Sequence, residues 1–257
     1  MRFAILGSGS KGNAVYIEEG RTGILIDNGF SAKELGARLA SIGRSLADIT
    51  AVLLSHEHND HAHGVGVVSR RCRVPLYANG PTFAAAASKI GTPHRFAEFV
   101  TGEELVIQDL QVRSFPVAHD TADPVGFVIG NGRKYLGYCT DTGSVSKLME
   151  LRLSGCHALI LEFNHNLEML KNGPYPEPLK QRVRSRHGHL ANGDAACFLK
   201  KLLHRNLQTV VLAHISETNN RAALAMAAAR ATIGAAETIE LLVAEQGRAT
   251  PLISLDG

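Results

Sequence analysis

Three histidines and one aspartate fall within six residues of this chain, and all four side chains are of types that bind metal ions. They are His56, His58, Asp60 and His61, in the pattern His-x-His-x-Asp-His. The apolar run 49–54 precedes them and is typical of a buried strand. Polar groups at the end of a buried strand cost about 2 kcal/mol or more each without a partner, and a cation would supply one. The pattern predicts a metal site, and the alternative is a polar loop with a chance histidine cluster.

Three later apolar runs also end on a histidine or an aspartate. These are residues 110–118 before His119, residues 134–140 before Asp141, and residues 209–213 before His214. Binding groups at the ends of neighbouring strands converge on one edge of a sheet, which is where sites on such scaffolds form. We therefore expect these groups to join the histidine cluster at one metal centre.

The spacing of the histidine cluster allows for two ions. If the chain stays extended beyond residue 54, His56 and His58 point to the same side and could bind one ion together. Asp60 and His61, in the turn that follows, could face a second ion. Two neighbouring cations acidify a shared water and neutralise charge on the electrophile, which suits hydrolysis of phosphodiesters, thioesters or activated acyl bonds. Imidazole and carboxylate ligands suit two divalent ions of Zn, Mn or Fe, and the sequence does not choose among them.

Length and composition limit the class of protein. A chain of 257 residues without a low-complexity linker favours one domain, residues 1–257. No apolar run approaches the roughly 18–20 residues of a membrane span, and the apolar start is too short for a signal peptide. The four cysteines are scattered, without a Cys-x-x-Cys pair, and are interpreted as small buried side chains in a reducing compartment. Together these features predict a soluble cytoplasmic protein, and a net charge of +3 permits a nucleic-acid partner without demanding one.

The segment 7–12, Gly-Ser-Gly-Ser-Lys-Gly, matches the dinucleotide-binding pattern GxGxxG. That pattern requires a helix to follow, whereas residues 13–18 and 23–27 favour strands. We therefore predict a β-meander and reject a dinucleotide site. The glycines then form a tight turn near the metal edge, either with backbone amides that bind an anion or as a plain turn.

Other patterns place the remaining elements. Ser31 and Glu34 form a capping-box pattern for a helix over 31–42. Further helices are predicted at 82–90 and 145–153 and from residue 222, ended by Gly234, and strands at 158–164, 239–244 and 249–254. The polar residues that end strand 158–164, Glu162, Asn164 and His165, either orient the ligands or merely finish the strand.

The order of the ligand residues, from His56 to His214, resembles the metallo-β-lactamase superfamily of dinuclear metal hydrolases. The resemblance implies the α/β (α+β) class and a four-layer αββα sandwich. It implies that Asp141 bridges the two metals. The other ligands are then divided between one metal held by His56, His58 and His119, and a second held by Asp60, His61 and His214. Asp60 would also orient the attacking hydroxide.

Further residues narrow the resemblance from the superfamily to one of its branches. The bridging Asp141 argues against a true lactamase, His58 stands where flavo-diiron proteins carry Glu, and the stretch from Asp141 to His214 is too short for a β-CASP insertion. The segments 6–13, 25–27, 185–192 and 212–220 are similar to the YycJ/WalJ branch, although Asn28 and Ala191 replace its common Cys and Ser. That branch implies a nuclease, with 5′-to-3′ exonuclease action on DNA as its best-known activity.

A basic segment precedes His189. Lys180, Arg182, Arg184 and Arg186 alternate along it, ahead of a helix predicted to be capped by Asn192. Cations at this spacing could follow a phosphate backbone, or they could form a solvated basic face. His189 could protonate the leaving oxygen as a general acid.

Two alternatives to a nuclease remain open. A small-molecule hydrolase would share every ligand, either as a cyclic-phosphate or nucleotide phosphodiesterase or as a glyoxalase-II-like thioesterase. A catalytically weak binding protein could also have kept the fold, although intact ligands argue against it. Neutralising the basic segment would discriminate a nuclease from a small-molecule enzyme, which should be indifferent to that change.

Overall fold

Two β-sheets form the centre of the molecule in a computed structural model that describes residues 1–234 and 238–255. The first sheet has the strand order β14-β1-β2-β3-β4-β5-β6. Its strands are β1 (Arg2–Gly7), β2 (Ala14–Glu19), β3 (Thr22–Ile26), β4 (Ala51–Leu53), β5 (Pro75–Ala78), β6 (Arg95–Glu98) and β14 (Ile253–Ser254). The first three strands pair antiparallel, and β3 to β6 run parallel. The predicted meander is therefore confirmed.

The second sheet has the strand order β13-β12-β11-β10-β9-β8-β7. Its strands are β7 (Glu104–Ile107), β8 (Leu110–Pro116), β9 (Val125–Gly130), β10 (Tyr135–Cys139), β11 (Ala158–Glu162), β12 (Thr209–Ala213) and β13 (Glu240–Val243). Strands β10 to β13 are parallel, and β9 is antiparallel to both β8 and β10. Strand β8 therefore runs in the same direction as β10 to β12, and the carboxyl ends of these four strands meet at one edge.

Helices cover the outer face of each sheet. Those on the first sheet are α1 (Ala32–Ser41), α2 (Asn59–Ala62), α3 (Val65–Cys72) and α4 (Gly80–Ile90), with a short 3₁₀ helix at Leu46–Asp48. The later helices are α5 (Lys147–Leu153), α6 (Leu167–Asn172), α7 (Glu177–Arg184), α8 (Asn192–Leu202) and α9 (Ala222–Ile233), of which α5, α8 and α9 pack on the second sheet. The layer order is helix, sheet, sheet, helix, which confirms the αββα sandwich.

The strands are apolar on both faces because each sheet lies between two apolar layers. In β3, Ile24 and Ile26 point into the core between the sheets, where they join Phe127 and Ile160 of the second sheet. Leu25 points the other way, into the cluster under the outer helices. This alternation explains why continuous apolar runs, rather than alternating ones, marked the strands in the sequence.

Several predicted boundaries need correction. Strand β4 is Ala51–Leu53, shorter than the predicted run 49–54, and β14 is only Ile253–Ser254. Ser31 caps α1 by accepting from the Glu34 amide, but the Glu34 carboxylate binds Arg38 and does not complete a capping box. Helix α8 begins at Asn192 with Ala191 as its N-cap, because Asn192 bonds to the loop at Asn220.

Two composition-based expectations can be compared with the structure. All four cysteines are free thiols, but Cys197 is exposed and Cys72 only half-buried, so the prediction of buried cysteines was wrong for these two. Within residues 1–234 and 238–255, no helix combines the length and apolar character needed to cross a bilayer.

Candidate metal centre

The structure brings all seven predicted ligands to the shared edge of the two sheets. His119 follows β8, Asp141 follows β10 and His214 follows β12. The other four lie beyond the end of β4: His56 and His58 in the extended loop, and Asp60 and His61 on the short helix α2. Convergence of strand ends, as predicted from the sequence, explains how residues far apart in the chain meet here.

The ligand atoms form overlapping groups, each with its members within 4.8 Å of one another. The groups with two or more of the predicted ligands are His56–His58–His119, Asp60–His61–His214, His56–His61–Asp141 and Asp141–Glu162–His189–His214. The first two groups are the two predicted ligand trios. Asp141 connects them, since its oxygens lie 3.9 Å from His119 Nε2 in the first trio and 3.3 Å from His61 Nε2 in the second.

Unpartnered atoms show that these residues fit a metal. His56 Nε2 and Asp141 Oδ2 are buried and have no hydrogen-bond partner within the described residues. His58 Nδ1 and His119 Nε2 face each other at 3.1 Å. Buried polar atoms are almost always satisfied in native proteins, and a group without a partner indicates a missing ion or water. Nitrogen and oxygen donors gathered in this way suit divalent transition metals.

Hydrogen bonds from outside the ligand set hold the imidazoles with one nitrogen toward the centre. His61 Nδ1 donates to Asp27 Oδ2 at 2.8 Å, and His119 Nδ1 donates to the Gly188 carbonyl at 3.1 Å. His56 Nδ1 lies 2.9 Å from Ser55 Oγ. In each ring the other nitrogen, Nε2, is directed at the centre, where His61 Nε2 lies 2.9 Å from Asn13 Nδ2. Metal-binding histidines are commonly oriented by such bonds from the opposite ring nitrogen.

Asp27 is the functional residue that sequence reasoning missed. It is fully buried and accepts bonds from the Ser55 amide (2.8 Å), Ser55 Oγ (2.7 Å) and Tyr138 Oη (3.1 Å), as well as from His61. One carboxylate thus connects β3, the histidine loop and β10. The available signal was an aspartate directly after a buried apolar strand, the same signal that identified Asp141.

Asn13 has a similar role toward the second trio. Its amide nitrogen donates to Asp60 Oδ2 at 3.1 Å and to the Gly9 carbonyl at 3.0 Å. The glycine turn 7–12 therefore orients Asp60 through Asn13. The anion-binding alternative for this turn is not supported, because the amides of Ser8, Gly9, Lys11 and Gly12 already donate within the protein.

Carboxylates dominate the electrostatics of the second trio. Burial opposes a charge on His61, but the carboxylates of Asp141, Asp60 and Asp27 outweigh it and raise the pKa of His61 well above its usual range. Burial is likewise outweighed at His214, where Asp141 and Asp60 raise the pKa to about 10. Without a metal these imidazoles hold protons in its place, so metal binding must release protons.

His189 lies beside the centre and is held by a buried carboxylate. Its Nδ1 donates to Glu162 Oε1 at 2.7 Å, and its ring stacks on that of His214 with centroids 5.2 Å apart. Glu162 Oε2 accepts from the amides of Leu190 (2.9 Å) and Thr142 (3.2 Å). Glu162 Oε1 also lies 3.5 Å from His214 Nδ1, which supports the interpretation that Glu162 orients the ligands.

Asn164 also supports the ligands, whereas His165 does not contact them. Asn164 Nδ2 donates to the His214 carbonyl at 2.9 Å and lies 3.2 Å from His214 Nδ1. His165 pairs through its backbone with Ala191 and is buried. At this strand end, Asn164 therefore orients a ligand, whereas His165 merely finishes the strand.

Most of the basic segment is helical. Residues 177–184 form α7, so Lys180, Arg182 and Arg184 diverge around its surface, and Arg186 lies beyond its end. Arg182 Nε donates to Asp120 at 2.5 Å, and Asp120 in turn lies 3.6 Å from His119 Nε2. Lys180 bonds the Lys171 carbonyl, while Arg184 and Arg186 are exposed. Of these four cations, Arg182 is the one that reaches a predicted ligand within the described residues, through Asp120.

A cavity of about 170 Å³ opens beside these groups. Its walls include His119, His189 and His214 together with Arg182 and Tyr175. The metal edge is therefore accessible to a substrate, and His189 faces the space that a substrate would occupy.

The two-sheet sandwich and the convergent histidines and aspartates define a metallo-β-lactamase-fold metal centre. Solved structures share the fold: YhfI from Bacillus subtilis (TM-score 0.73, 16% identity) and zinc-bound PqqB from Methylobacterium extorquens (TM-score 0.73, 18% identity). Each match covers 97% of this chain and 99% of the other. At such low identity these neighbours show the fold alone.

Sequence comparison gives the family. The beta-lactamase superfamily domain matches residues 22–215. Exodeoxyribonuclease YycJ of Bacillus anthracis is 36% identical over 228 residues, covering 88% of this chain and 86% of its own. Exodeoxyribonuclease WalJ of Streptococcus pneumoniae (strain D39) is 34% identical over 264 residues, covering 99% and 98%. The chain therefore belongs to the beta-lactamase superfamily and, within it, to the YycJ/WalJ family.

Proposed function

We propose that this protein is a metal-dependent phosphodiesterase that degrades DNA from an end, in the 5′-to-3′ direction. The supporting observation is the complete set of seven convergent ligands in a chain that matches two exodeoxyribonucleases over most of its length. In this proposal residues 1–257 act as one domain. Its four free thiols suit the cytoplasm, which stays a prediction.

The ligand trios would hold two divalent ions, Zn, Mn or Fe. His56, His58 and His119 would hold the first, and Asp60, His61 and His214 the second, with Asp141 contributing to both. The grouping of the ligand atoms and the unpartnered His56 Nε2 and Asp141 Oδ2 support this assignment. When bound, such ions supply Lewis acidity at the phosphate and lower the pKa of an attacking water.

The protein's own side chains then position and protonate the substrate. Asp60, held by Asn13, is the acceptor that orients the attacking water. His189, held by Glu162, donates a proton from Nε2 to the leaving oxygen, and the Glu162 carboxylate stabilises the charged imidazole. Arg182, fixed by Asp120, binds a phosphate oxygen next to the scissile bond.

The other three cations contact the nucleic acid further from the centre. Lys180, Arg184 and Arg186 lie on or just after α7, and Arg184 and Arg186 are exposed. Exposed cations of this kind bind phosphates through charge alone, so their contribution weakens as salt rises.

Cleavage of end-labelled substrates tests the proposal. Metal-stripped protein is refilled with Mn²⁺ or Zn²⁺ and given 5′-labelled or 3′-labelled DNA and RNA, single-stranded and duplex. Asp141→Ala should abolish cleavage, whereas the control Asp194→Ala, at an exposed carboxylate on α8, should not. Metal-restored stepwise release from the 5′ end of DNA is the expected result.

Other results would overturn the proposal in distinct ways. Hydrolysis of bis(p-nitrophenyl) phosphate without cleavage of any polymer would indicate a small-molecule phosphodiesterase. Metal binding without turnover of any phosphodiester would indicate a binding protein. Cleavage of RNA without cleavage of DNA would show that RNA is the substrate.

A further inference from the structure

The cavity beside the metal centre has one wall that the proposed chemistry does not use. Tyr175 and Leu179, from the segment before α7 and from α7 itself, line it together with Asn219 of the loop after β12. We propose that this wall is a subsite for one unpaired nucleobase, which stacks on Tyr175 and donates a hydrogen bond to Asn219. The inference rests on the proposed function and names the part of the nucleic acid that is recognised.

The size of the cavity suits a single ring system. Its volume is about 170 Å³, and an apolar protein cavity of about 150 Å³ is known to accommodate benzene. One heteroaromatic base therefore has room to bind. In the proposed subsite a duplex end would open by one pair before it binds, with stacking in the cavity replacing stacking in the helix.

Tyr175 is half-buried, and within residues 1–234 and 238–255 its side chain makes no hydrogen bond and no ring contact. A partly exposed aromatic face at the wall of a substrate cavity is the arrangement that nucleic-acid enzymes use to stack bases. Stacking of this kind tolerates any base, as an enzyme that degrades DNA stepwise requires.

Asn219 supplies the polar contact. Its side chain is 1% exposed, and Oδ1 is buried without a partner within the described residues. Backbone bonds fix the residue: its amide donates to Ser216 Oγ at 3.1 Å, and its carbonyl accepts from the Asn166 amide at 2.9 Å. A fixed, buried acceptor with no donor is costly. Oδ1 lies beside Gly173, and a turn of the Asn219 side chain toward the cavity would let the amino or ring N–H of a base satisfy it.

The subsite lies where the base would be useful for catalysis. Arg182 and His189 line the same cavity as Tyr175. A base held against Tyr175 therefore keeps its attached phosphate close to Arg182 and His189. Binding energy gained at the base, away from the scissile bond, then orients that bond for cleavage.

An abasic substrate tests this subsite. KM is measured for metal-loaded protein on DNA oligonucleotides that carry either a normal base or an abasic residue at the terminal nucleotide, at each end in turn. We expect the abasic residue at the attacked end to raise KM about tenfold, a typical loss for one base stack. Tyr175→Ala should raise KM about tenfold on normal DNA and no longer respond to the abasic residue, whereas Tyr175→Phe should behave as wild type.

Asn219→Ala provides a second variant, because the side chain that it removes makes no hydrogen bond within the described residues. It should raise KM on normal DNA several-fold and leave the abasic substrate unchanged. Equal KM for normal and abasic ends in the wild type would overturn the subsite and leave the exonuclease proposal intact. Failure of the wild-type protein to cleave either oligonucleotide would overturn both the subsite and the exonuclease proposal. This comparison uses no variant, so it does not depend on whether a variant folds.

Discussion

Asp27→Asn is the substitution that best tests how the metal centre is held. Asparagine matches the shape of aspartate and tolerates the left-handed backbone that Asp27 adopts, with φ of 57°. It replaces one acceptor oxygen by an amino group that donates. At the Oδ2 position this amino group would face His61 Nδ1, and at the Oδ1 position it would face the Ser55 amide. Neither orientation preserves the present bonds.

The expected cost follows from these contacts. If the amino group faces His61, the imidazole must accept at Nδ1, and its proton moves to Nε2, the nitrogen directed at Asp60 and Asp141. Loss of the bond that orients a metal-binding histidine from its opposite ring nitrogen lowers metal affinity about 10–100-fold. If the amino group faces the Ser55 amide instead, a buried donor is left unpaired at a cost of about 1–3 kcal/mol in the free energy of unfolding.

Both consequences are measurable. Metal affinity is obtained by competition with a chromophoric chelator, and stability by thermal unfolding of the metal-free protein. Asp194→Asn, at an exposed carboxylate, serves as the control. An Asp27→Asn protein with wild-type metal affinity and wild-type unfolding temperature would refute the assignment of Asp27 as the residue that fixes His61.

Three further outcomes are expected. Arg182→Gln should raise KM for DNA about tenfold, since a charge-assisted bond is lost, and Arg184→Gln on the same helix should change it little. Glu162→Gln should lower kcat about 10–100-fold on DNA but much less on bis(p-nitrophenyl) phosphate, whose leaving group needs no proton from His189. Because neighbouring carboxylates overcome burial and raise the pKa of His214 to about 10, its proton must leave when metal binds. Metal affinity should therefore fall as pH falls, and calorimetry in two buffers with different ionisation enthalpies should detect the released proton.

The sequence predicted where the candidate ligands would meet because several of them are marked locally. A buried strand leaves a recognisable apolar run, and a histidine or aspartate directly after it is conspicuous. His119, Asp141 and His214 share this signal, and the common direction of β8, β10 and β12 then brings them together at one edge. Their convergence follows from topology alone, which is why it could be expected without knowing any distance.

The supporting residues could not be predicted in the same way. Asp27 carries the strand-end signal, but its role depends on the pairing of β3 with β4, which places it beside Ser55 and His61. The basic segment shows the same limit. Its alternating cations did not predict that Pro176 and Glu177 begin a helix, or that Arg182 lies against Asp120. In both cases contacts between distant segments decided the outcome.

Several residues at the metal centre have a left-handed backbone conformation that lowers the stability of the fold. Asp27, Asp141 and His214 all have positive φ, between 52° and 57°, a conformation that costs on the order of 1–3 kcal/mol for a residue other than glycine. Asp27 and His214 directly follow their strands, and Asp141 lies two residues beyond β10. Glycine would relieve each strain but would remove a carboxylate or an imidazole. Arg73 and Gln108 have positive φ elsewhere in the described residues, so three of the five non-glycine residues with this conformation lie at the centre, where the chain turns to direct a side chain at the candidate metal site.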